Sequence, residues 1–125
     1  MKDNSKAEEF KNRTKKFALR VLKLFQSLPK SSESQVIGKQ LFRAACSVAA
    51  NYRAVCRARS DSEFYSKLSI VVEEADESVF WLEMIVDGNI MPKEKIAELL
   101  KEANEILSIV SASRKTGKDR KYPNQ

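Results

Sequence analysis

Apolar residues recur every three or four positions through four long segments of this 125-residue chain. This spacing is typical of an amphipathic α-helix that buries one face, and no segment shows the alternating pattern of a strand. The segments cover about residues 6–28, 33–58, 61–87 and 93–115, and only short loops separate them. Because helices joined by short loops pack antiparallel to their neighbours, the sequence predicts an all-α, up-down-up-down antiparallel four-helix bundle.

Residues that begin and end helices lie between these segments. Pro29 and the serines after it stop the first helix, and Ser60 forms a capping box with Glu63 at the start of the third. Gly88 is expected to take the left-handed conformation that ends the third helix, and Gly117 to end the fourth. The sequence thus predicts a single domain over residues 1–125, with a mobile basic tail at 116–125.

The third segment carries an inward-facing apolar stripe: Phe64, Leu68, Val71, Ala75, Val79, Leu82 and Ile85. Phe80 and Trp81 lie beside this stripe, so at least one of them points away from the core if Val79 and Leu82 point inward. An exposed aromatic side chain at this position would mark a contact site, and burial in the core or an interface is the alternative.

The residue types that most active sites need are missing. The chain contains no histidine and no glycine-rich phosphate loop, which excludes Ser-His and Cys-His nucleophile activation and the commonest metal ligand. Cys46 and Cys56 lie on one predicted helix about 15 Å apart, too far for a disulfide between them. We therefore expect reduced thiols, no enzymatic activity and no cofactor or metal.

The hydropathy pattern gives no sign of a membrane segment. No stretch approaches the roughly 18 consecutive apolar residues that a membrane span needs. Residues 1–16 are polar and lack the apolar core of a signal peptide. We expect a cytoplasmic protein with no membrane partner.

Charge is distributed unevenly along the chain. Residues 1–59 contain 14 Lys and Arg against 4 Asp and Glu, whereas residues 60–125 contain 9 against 13. The basic half could attract phosphate groups. Alternatively, basic and acidic faces could meet within a subunit or between subunits, which requires no outside partner.

The second helix carries a polar stripe at spacings of 3, 4 and 4: Gln40, Arg43, Ser47 and Asn51. Antiparallel pairing with the third helix brings Arg43 roughly level with Asp76 and Glu77, and we predict that Arg43 pairs with Glu77. The stripe is interpreted as a structural polar seam whose groups satisfy one another, with Asn51 bonded within the bundle. A ligand site is the alternative, although an arginine beside a carboxylate provides neither a nucleophile nor a tuned base.

The middle of the second helix is small on nearly every side. Small residues let another helix approach closely, so a second packing face is predicted in addition to the core. The candidate subunit-interface residues are Ala45, Cys46, Ala49 and Ala50. Tight packing within one chain is the alternative.

Basic residues follow the helical period on the first two helices: Arg13, Lys16, Arg20 and Lys23 on the first, and Lys39, Arg53 and Arg57 on the second. Solvated charge that keeps a helical protein soluble explains them most simply. The functional alternative is a surface that follows the backbone of RNA or DNA without reading its bases. Base-specific recognition is not indicated, because no known reading motif is present.

The motif Q-L-x-R-A-A-x-S-V-x-A-N at residues 40–51, followed by R-S-x-x-E-F at residues 59–64, resembles a known family. This family comprises the bacterial four-helix-bundle proteins first noted in intervening sequences of 23S ribosomal RNA genes. The resemblance extends over about residues 6–115 and includes Glu77 and the L-P-K stop at residues 28–30. The chain departs from the family pattern at residues 52–55 and at Glu73 and Glu74, where the family favours Gly-Ser.

The resemblance implies a bundle that assembles into a ring, typically a pentamer, with no assigned enzymatic activity. The family is also similar in fold to the accessory protein of diversity-generating retroelements, a basic pentameric ring that binds its reverse transcriptase and nucleic acid. We therefore expect a non-enzymatic homo-oligomeric scaffold or adaptor. The alternative is a sequence-tolerant RNA- or DNA-binding accessory protein that serves a partner such as a reverse transcriptase.

Overall fold

Four helices make up most of the computed structural model, which describes the backbone of residues 4–121 and the side chains of residues 5–116. They are α1 (Asn4–Ser27), α2 (Ser32–Cys56), α3 (Asp61–Asp87) and α4 (Lys93–Lys121). Consecutive helices pack along one another, most extensively α2 against α3, and α4 returns to α1 over the least extensive contact. The predicted all-α four-helix bundle is confirmed.

One apolar core runs through the bundle, and all four helices contribute to it. Its largest fully buried side chains include Phe17, Val21, Leu41, Leu68, Leu82, Ile85, Ile96 and Ile106. These positions follow the helical period of the sequence, so each helix buries one continuous stripe. The predicted inward stripe of α3 is buried apart from Phe64, which is 37% exposed. Phe64 lies in the first turn of α3 at one end of the bundle, where fewer neighbouring side chains can cover it.

The loops that begin α2 and α3 use serine caps. Ser31 Oγ accepts a hydrogen bond from the Ser34 amide at 3.3 Å, and Ser60 Oγ accepts one from the Glu63 amide at 3.0 Å. Glu63 completes its capping box one residue further out than expected, because its Oε1 accepts from the Arg59 amide at 2.9 Å. Each cap satisfies backbone donors that the first helical turn leaves without partners.

The end of α3 corrects the prediction for Gly88. Gly88 has a φ of −85°, and the left-handed residue is Asn89 with a φ of 58°. The Ile90 amide bonds to Ile85 O at 2.9 Å and the Asn89 amide to Val86 O at 3.0 Å, the two bonds of a Schellman motif. Asparagine tolerates this conformation better than most residues, so the left-handed turn lies at Asn89, one residue later than predicted, although the helix ends at Asp87 as predicted.

The predicted boundaries agree with the structure within two residues except at the end of α4. This helix continues past Gly117 to Lys121, six residues beyond the predicted end at 115. One glycine inside a helix costs only about 1 kcal/mol relative to alanine, so it does not end a helix by itself. Residues 122–125 of the predicted tail lie outside the described part of the chain.

A close approach between α1 and α2 depends on Gly38. This glycine is buried in α2, and a Cβ atom placed on it would lie 2.5 Å from Phe25 Cδ1 and 2.8 Å from Leu28 Cδ1. Any larger side chain at this position would therefore push the end of α1 away. The absence of a side chain sets the distance between these helices near their connecting loop.

Candidate interaction surfaces

The predicted polar seam lies between α2 and α3, with Arg43 at its centre. Arg43 Nη2 donates to Glu77 Oε2 at 2.6 Å, Nη1 lies 3.4 Å from Glu74 Oε2, and Nε lies 3.3 Å from Gln40 Oε1. Glu74 Oε1 is buried and lies 3.2 Å from Arg43 Nη2, close enough for attraction but without a hydrogen bond. The arginine thus joins both carboxylates of α3 to α2.

The seam is exposed on its Arg43–Glu77 side, whereas Glu74 lies deeper. The Arg43 and Glu77 side chains are 47% and 36% exposed, respectively. The Trp81 indole donates to Glu77 Oε2 at 2.9 Å, and hydrogen bonds from Trp81 and Arg43 lower the pKa of the Glu77 carboxyl. A carboxylate held in its charged form by two donors is a stable surface ion, and it makes a poor general base.

The remaining polar residues of the stripe bond within α2. Asn51 Nδ2 donates to Ser47 O at 2.9 Å and to Ser47 Oγ at 3.0 Å. Both bonds join residues four positions apart on one helix, so they do not reach α3. The structure therefore brings Gln40, Arg43 and Glu77 together and leaves Ser47 and Asn51 as a local pair.

A second arginine cluster joins α1 to α4. Arg13 donates to Glu102 through Nε at 2.7 Å and Nη2 at 2.8 Å, a bidentate pair, and Nη2 also donates to Glu105 at 2.7 Å. The Glu102 side chain is only 19% exposed, and its pKa is lowered by the hydrogen bonds from Arg13. The sequence reading assigned Arg13 to nucleic-acid binding, but its guanidinium is already occupied by carboxylates of its own chain.

Sequence reasoning missed Glu102 and Glu105. Both stand beside the apolar stripe of α4 and are three residues apart, the spacing that lets two carboxylates meet one cation on a neighbouring helix. That spacing recurs at Glu74 and Glu77, so the repeated pattern was the available signal. To predict the cluster from this spacing, one would also have to know which basic residue of α1 lies level with Glu102 and Glu105.

The other predicted basic residues do not form one surface. Arg20 and Lys23 line a cleft of about 550 Å³ between α1 and α4, together with Lys95 and Glu98. Arg53 instead lines a groove between α1 and α2. Lys16, Lys39 and Arg57 are exposed and line none of these recesses. The seven positions are therefore spread over at least two sides of the bundle.

The α1–α2 groove has a volume of about 480 Å³ and a mainly apolar surface. Its lining residues are Lys11, Asn12, Lys15, Ala18, Leu19, Leu22, Phe42, Cys46, Ala49, Ala50 and Arg53. Three of the four predicted interface residues therefore line it. Ala45 is the correction, because it is fully buried in the core and cannot reach another chain.

A surface of exposed apolar and acidic side chains lies on the outward face of α3, and we call it the α3 ridge. Its residues recur at helical spacing: Glu73, Asp76, Phe80, Glu83, Met84 and Asp87. Phe80 is 49% exposed and Met84 is 37% exposed, whereas Trp81 is half-buried and packs edge-on against Phe80 with ring centroids 4.9 Å apart. Of the two neighbouring aromatics, Phe80 is thus the one that points away from the core.

Neither the Cys46 thiol nor the Tyr52 hydroxyl is activated by its surroundings. Burial raises the pKa of the Cys46 thiol. Burial, and to a lesser extent the neighbouring Cys56 thiol, raise the pKa of the Tyr52 hydroxyl to about 12. A thiol with a raised pKa stays protonated near neutral pH and is a weak nucleophile. Both cysteines are free of disulfides.

Among the described residues, no group of three or more histidine, cysteine or acidic side chains is arranged to hold a metal ion. Within the same part of the chain, no helix has the length and apolar character that crossing a membrane requires. The notable surfaces are therefore the two arginine clusters, the cleft between α1 and α4, the α1–α2 groove and the α3 ridge.

Comparison with known proteins places the chain in a family. The model of the 23S rRNA-intervening sequence protein family matches residues 6–112. A crystal structure of a protein with unknown function from the S23 ribosomal protein family of Bacteroides thetaiotaomicron VPI-5482 is similar, with a TM-score of 0.80 and 28% identity. The similarity covers 88% of this chain and 98% of that one. None of the curated proteins matches. The chain belongs to the 23S rRNA-intervening sequence protein family.

Proposed function

We propose that this protein is a non-enzymatic scaffold or adaptor that acts as a homo-oligomer. The observation that carries the proposal is the α1–α2 groove, in which Leu19 is 53% exposed above a floor of small side chains. Apolar residues that remain accessible along a concave surface favour a protein partner, because covering them releases water. The pentameric ring suggested by the family resemblance is the assembly we favour.

The chemistry of the surface supports a binding role over a catalytic one. The two arginine clusters pair with carboxylates of their own chain, so their charges are already compensated. Cys46 lines the groove, but its raised pKa keeps it protonated. These groups provide contacts and no activated nucleophile or tuned base.

Sedimentation velocity at micromolar concentration tests the proposal. We expect a single species several times heavier than one 14.2 kDa chain, and five chains if the ring is a pentamer. A species with the mass of one chain at every concentration would contradict it. The variant Leu19→Glu should lower the mass, whereas Lys30→Glu, an exposed change in the loop before α2, should not.

The second candidate function is sequence-tolerant binding of RNA or DNA, and the cleft between α1 and α4 favours it. Arg20, Lys23 and Lys95 converge there, with Glu98 as the opposing charge. Lysine and arginine around a recess can contact phosphates without reading bases, and a ring would repeat the cleft in every subunit. A reverse transcriptase is the protein partner that this reading suggests, by analogy with the retroelement accessory protein.

Fluorescence anisotropy with single-stranded RNA and duplex DNA tests this second function. Binding should fall by orders of magnitude between about 50 and 200 mM salt, because neutralised phosphates release counterions. The double variant Lys23→Glu/Lys95→Glu should weaken all sequences about equally, while Lys30→Glu serves as the control. No binding at the lower salt would leave the scaffold function alone.

A further inference from the structure

We infer that the α3 ridge of one copy of this protein docks into the α1–α2 groove of a second copy. The inference rests on the proposed homo-oligomer and specifies which surfaces meet. The groove and the ridge are formed by different helices, so one subunit can use both at once. A head-to-tail contact of this kind generates a ring when the rotation closes.

The two surfaces match in shape. Phe80 and Met84 lie one helical turn apart on the ridge and are both exposed. The floor of the groove carries Ala49 and Ala50, whose small side chains leave room for larger ones from a neighbour. The ridge spans about 21 Å of helix and the groove about 17 Å, so one helix can lie along the other two.

The α1–α2 groove and the α3 ridge carry opposite charges. Lys15 and Arg53 line the groove and make no ion pair within the described residues, and Lys11 contacts only Glu8 of its own helix at 3.2 Å. The ridge has four carboxylates, which likewise lack an ion pair in the part of the chain that the structure describes: Glu73, Asp76, Glu83 and Asp87. Docking would give these charges their missing partners.

The same charges disfavour a symmetric dimer in which two ridges or two grooves face each other. Two ridges placed face to face would bring eight carboxylates together, and two grooves would bring basic side chains together. Like charges facing each other across an interface are destabilising, so a ridge is better matched to a groove than to another ridge. The second copy is therefore bound head-to-tail.

Two single substitutions on exposed residues test the docking. Ala50→Glu places a carboxylate in the basic groove, where it faces the carboxylates of the ridge, and Phe80→Lys places an ammonium group at the centre of the ridge, where it faces the basic side chains of the groove. Each variant should form the wild-type assembly with at least a tenfold higher dissociation constant, because the apolar contact is lost and like charges meet. The matched controls are Ala97→Glu and Ile109→Lys, exposed positions on α4 outside both surfaces, which should keep the wild-type mass.

Mixing the two variants gives the sharper result. A chain with a blocked groove retains its ridge, and a chain with a blocked ridge retains its groove, so an equimolar mixture should form a one-to-one dimer that cannot grow. Two variants that are monomeric alone and remain monomeric together would overturn the inference. A wild-type assembly that survives both substitutions would also overturn it while leaving the proposed homo-oligomer intact, whereas a monomeric wild type would remove both.

A crosslink provides a measurement that does not depend on affinity. Cys46 lines the groove, so the variant Cys56→Ser/Met84→Cys should form disulfides between chains under mild oxidation with diamide. The variant Cys56→Ser/Ile109→Cys, with its new thiol outside the ridge, should remain uncrosslinked. Equal crosslinking in both variants would contradict a specific contact between ridge and groove.

Discussion

Arg13 and Arg43 occupy similar settings on different sides of the bundle. Each reaches a neighbouring helix and meets two glutamates three residues apart, Glu102 and Glu105 for one, and Glu74 and Glu77 for the other. Arg13 makes a bidentate pair with a carboxylate that is 19% exposed. Arg43 makes its shortest bond to Glu77, which is 36% exposed, and its own side chain is 47% exposed. Its second partner, Glu74, is 19% exposed like Glu102, but it receives only a single long hydrogen bond of 3.4 Å.

From this difference we expect the two arginine clusters to contribute unequally to the stability of the bundle. Arg43 lies beside the most extensive helix contact of the bundle, which apolar packing already holds. Arg13 bridges α1 and α4, which form the least extensive helix contact of the bundle. A charge pair is worth more where it is bidentate and partly shielded from water, so we expect Arg13 to be the more important residue.

Substitution of Gly38 should have the largest effect on the free energy of unfolding, because it disturbs apolar packing between α1 and α2. Its effect provides a reference for the two arginine substitutions. Gly38→Val should destabilise the protein by about 2–3 kcal/mol, because its side chain would overlap Phe25 and Leu28. Urea unfolding measures the change, and Lys39→Val at the next, exposed position is the control. An effect equal to that of the control would mean that α1 and α2 can separate without cost.

Removal of Arg13 should have the next largest effect. Arg13→Ala should destabilise the protein by about 1.5 kcal/mol, because it leaves the half-buried Glu102 carboxylate without its bidentate donor. The double variant with Glu102→Ala should recover part of this loss, which a thermodynamic cycle would measure. No coupling between the two positions would show that the pair is only incidental.

The equivalent change at Arg43 should matter less. Arg43→Ala should cost about 0.5–1 kcal/mol, since solvent screens the Arg43–Glu77 pair and Glu77 keeps its hydrogen bond from Trp81. The contact with the less exposed Glu74 is long, with a hydrogen bond of 3.4 Å, so its loss adds little. A loss greater than that of Arg13→Ala in the same urea experiment would reverse the comparison.

Acidic pH should remove the difference in stability between the wild type and Arg13→Ala. The pKa of Glu102 is lowered from its usual 4.5, so its contribution is present above that value and is lost as pH falls through the folded-state pKa. The stability gap should therefore narrow between neutral pH and about pH 3. Arg43→Ala should show a smaller change in the same direction, because the Glu77 pKa is also lowered. A gap that is constant with pH would indicate that packing of the arginine chain, not its charge, stabilises the α1–α4 contact.

The sequence was sufficient to predict the fold because each helix repeats one simple apolar period. The inward residues of α3 followed from spacing alone, apart from Phe64. Phe64 was misplaced because periodicity does not show where a bundle ends. Gly88 was misassigned because both Gly and Asn can adopt the left-handed conformation, and the choice depends on where the helix stops.

The surfaces were harder to predict because they depend on which helix faces which. Ala45, Cys46, Ala49 and Ala50 are alike in sequence, yet Ala45 alone is fully buried and the other three line the groove. Arg13 and Arg53 were grouped as basic surface, although one is paired with α4 and the other lines the α1–α2 groove. Such distinctions require the rotation of each helix about its axis, which composition and spacing do not provide.

The connection between Arg13 and Glu102 has a consequence for the order of folding. It joins residues 89 positions apart, whereas Arg43 and Glu77 are only 34 apart. Contacts between distant residues require a larger loss of chain entropy, so sequential hairpins are expected to form before the α1–α4 contact closes. A contact made after the transition state affects the unfolding rate more than the folding rate. In stopped-flow kinetics, Arg13→Ala should thus shorten the lifetime of the native bundle while leaving its rate of formation nearly unchanged.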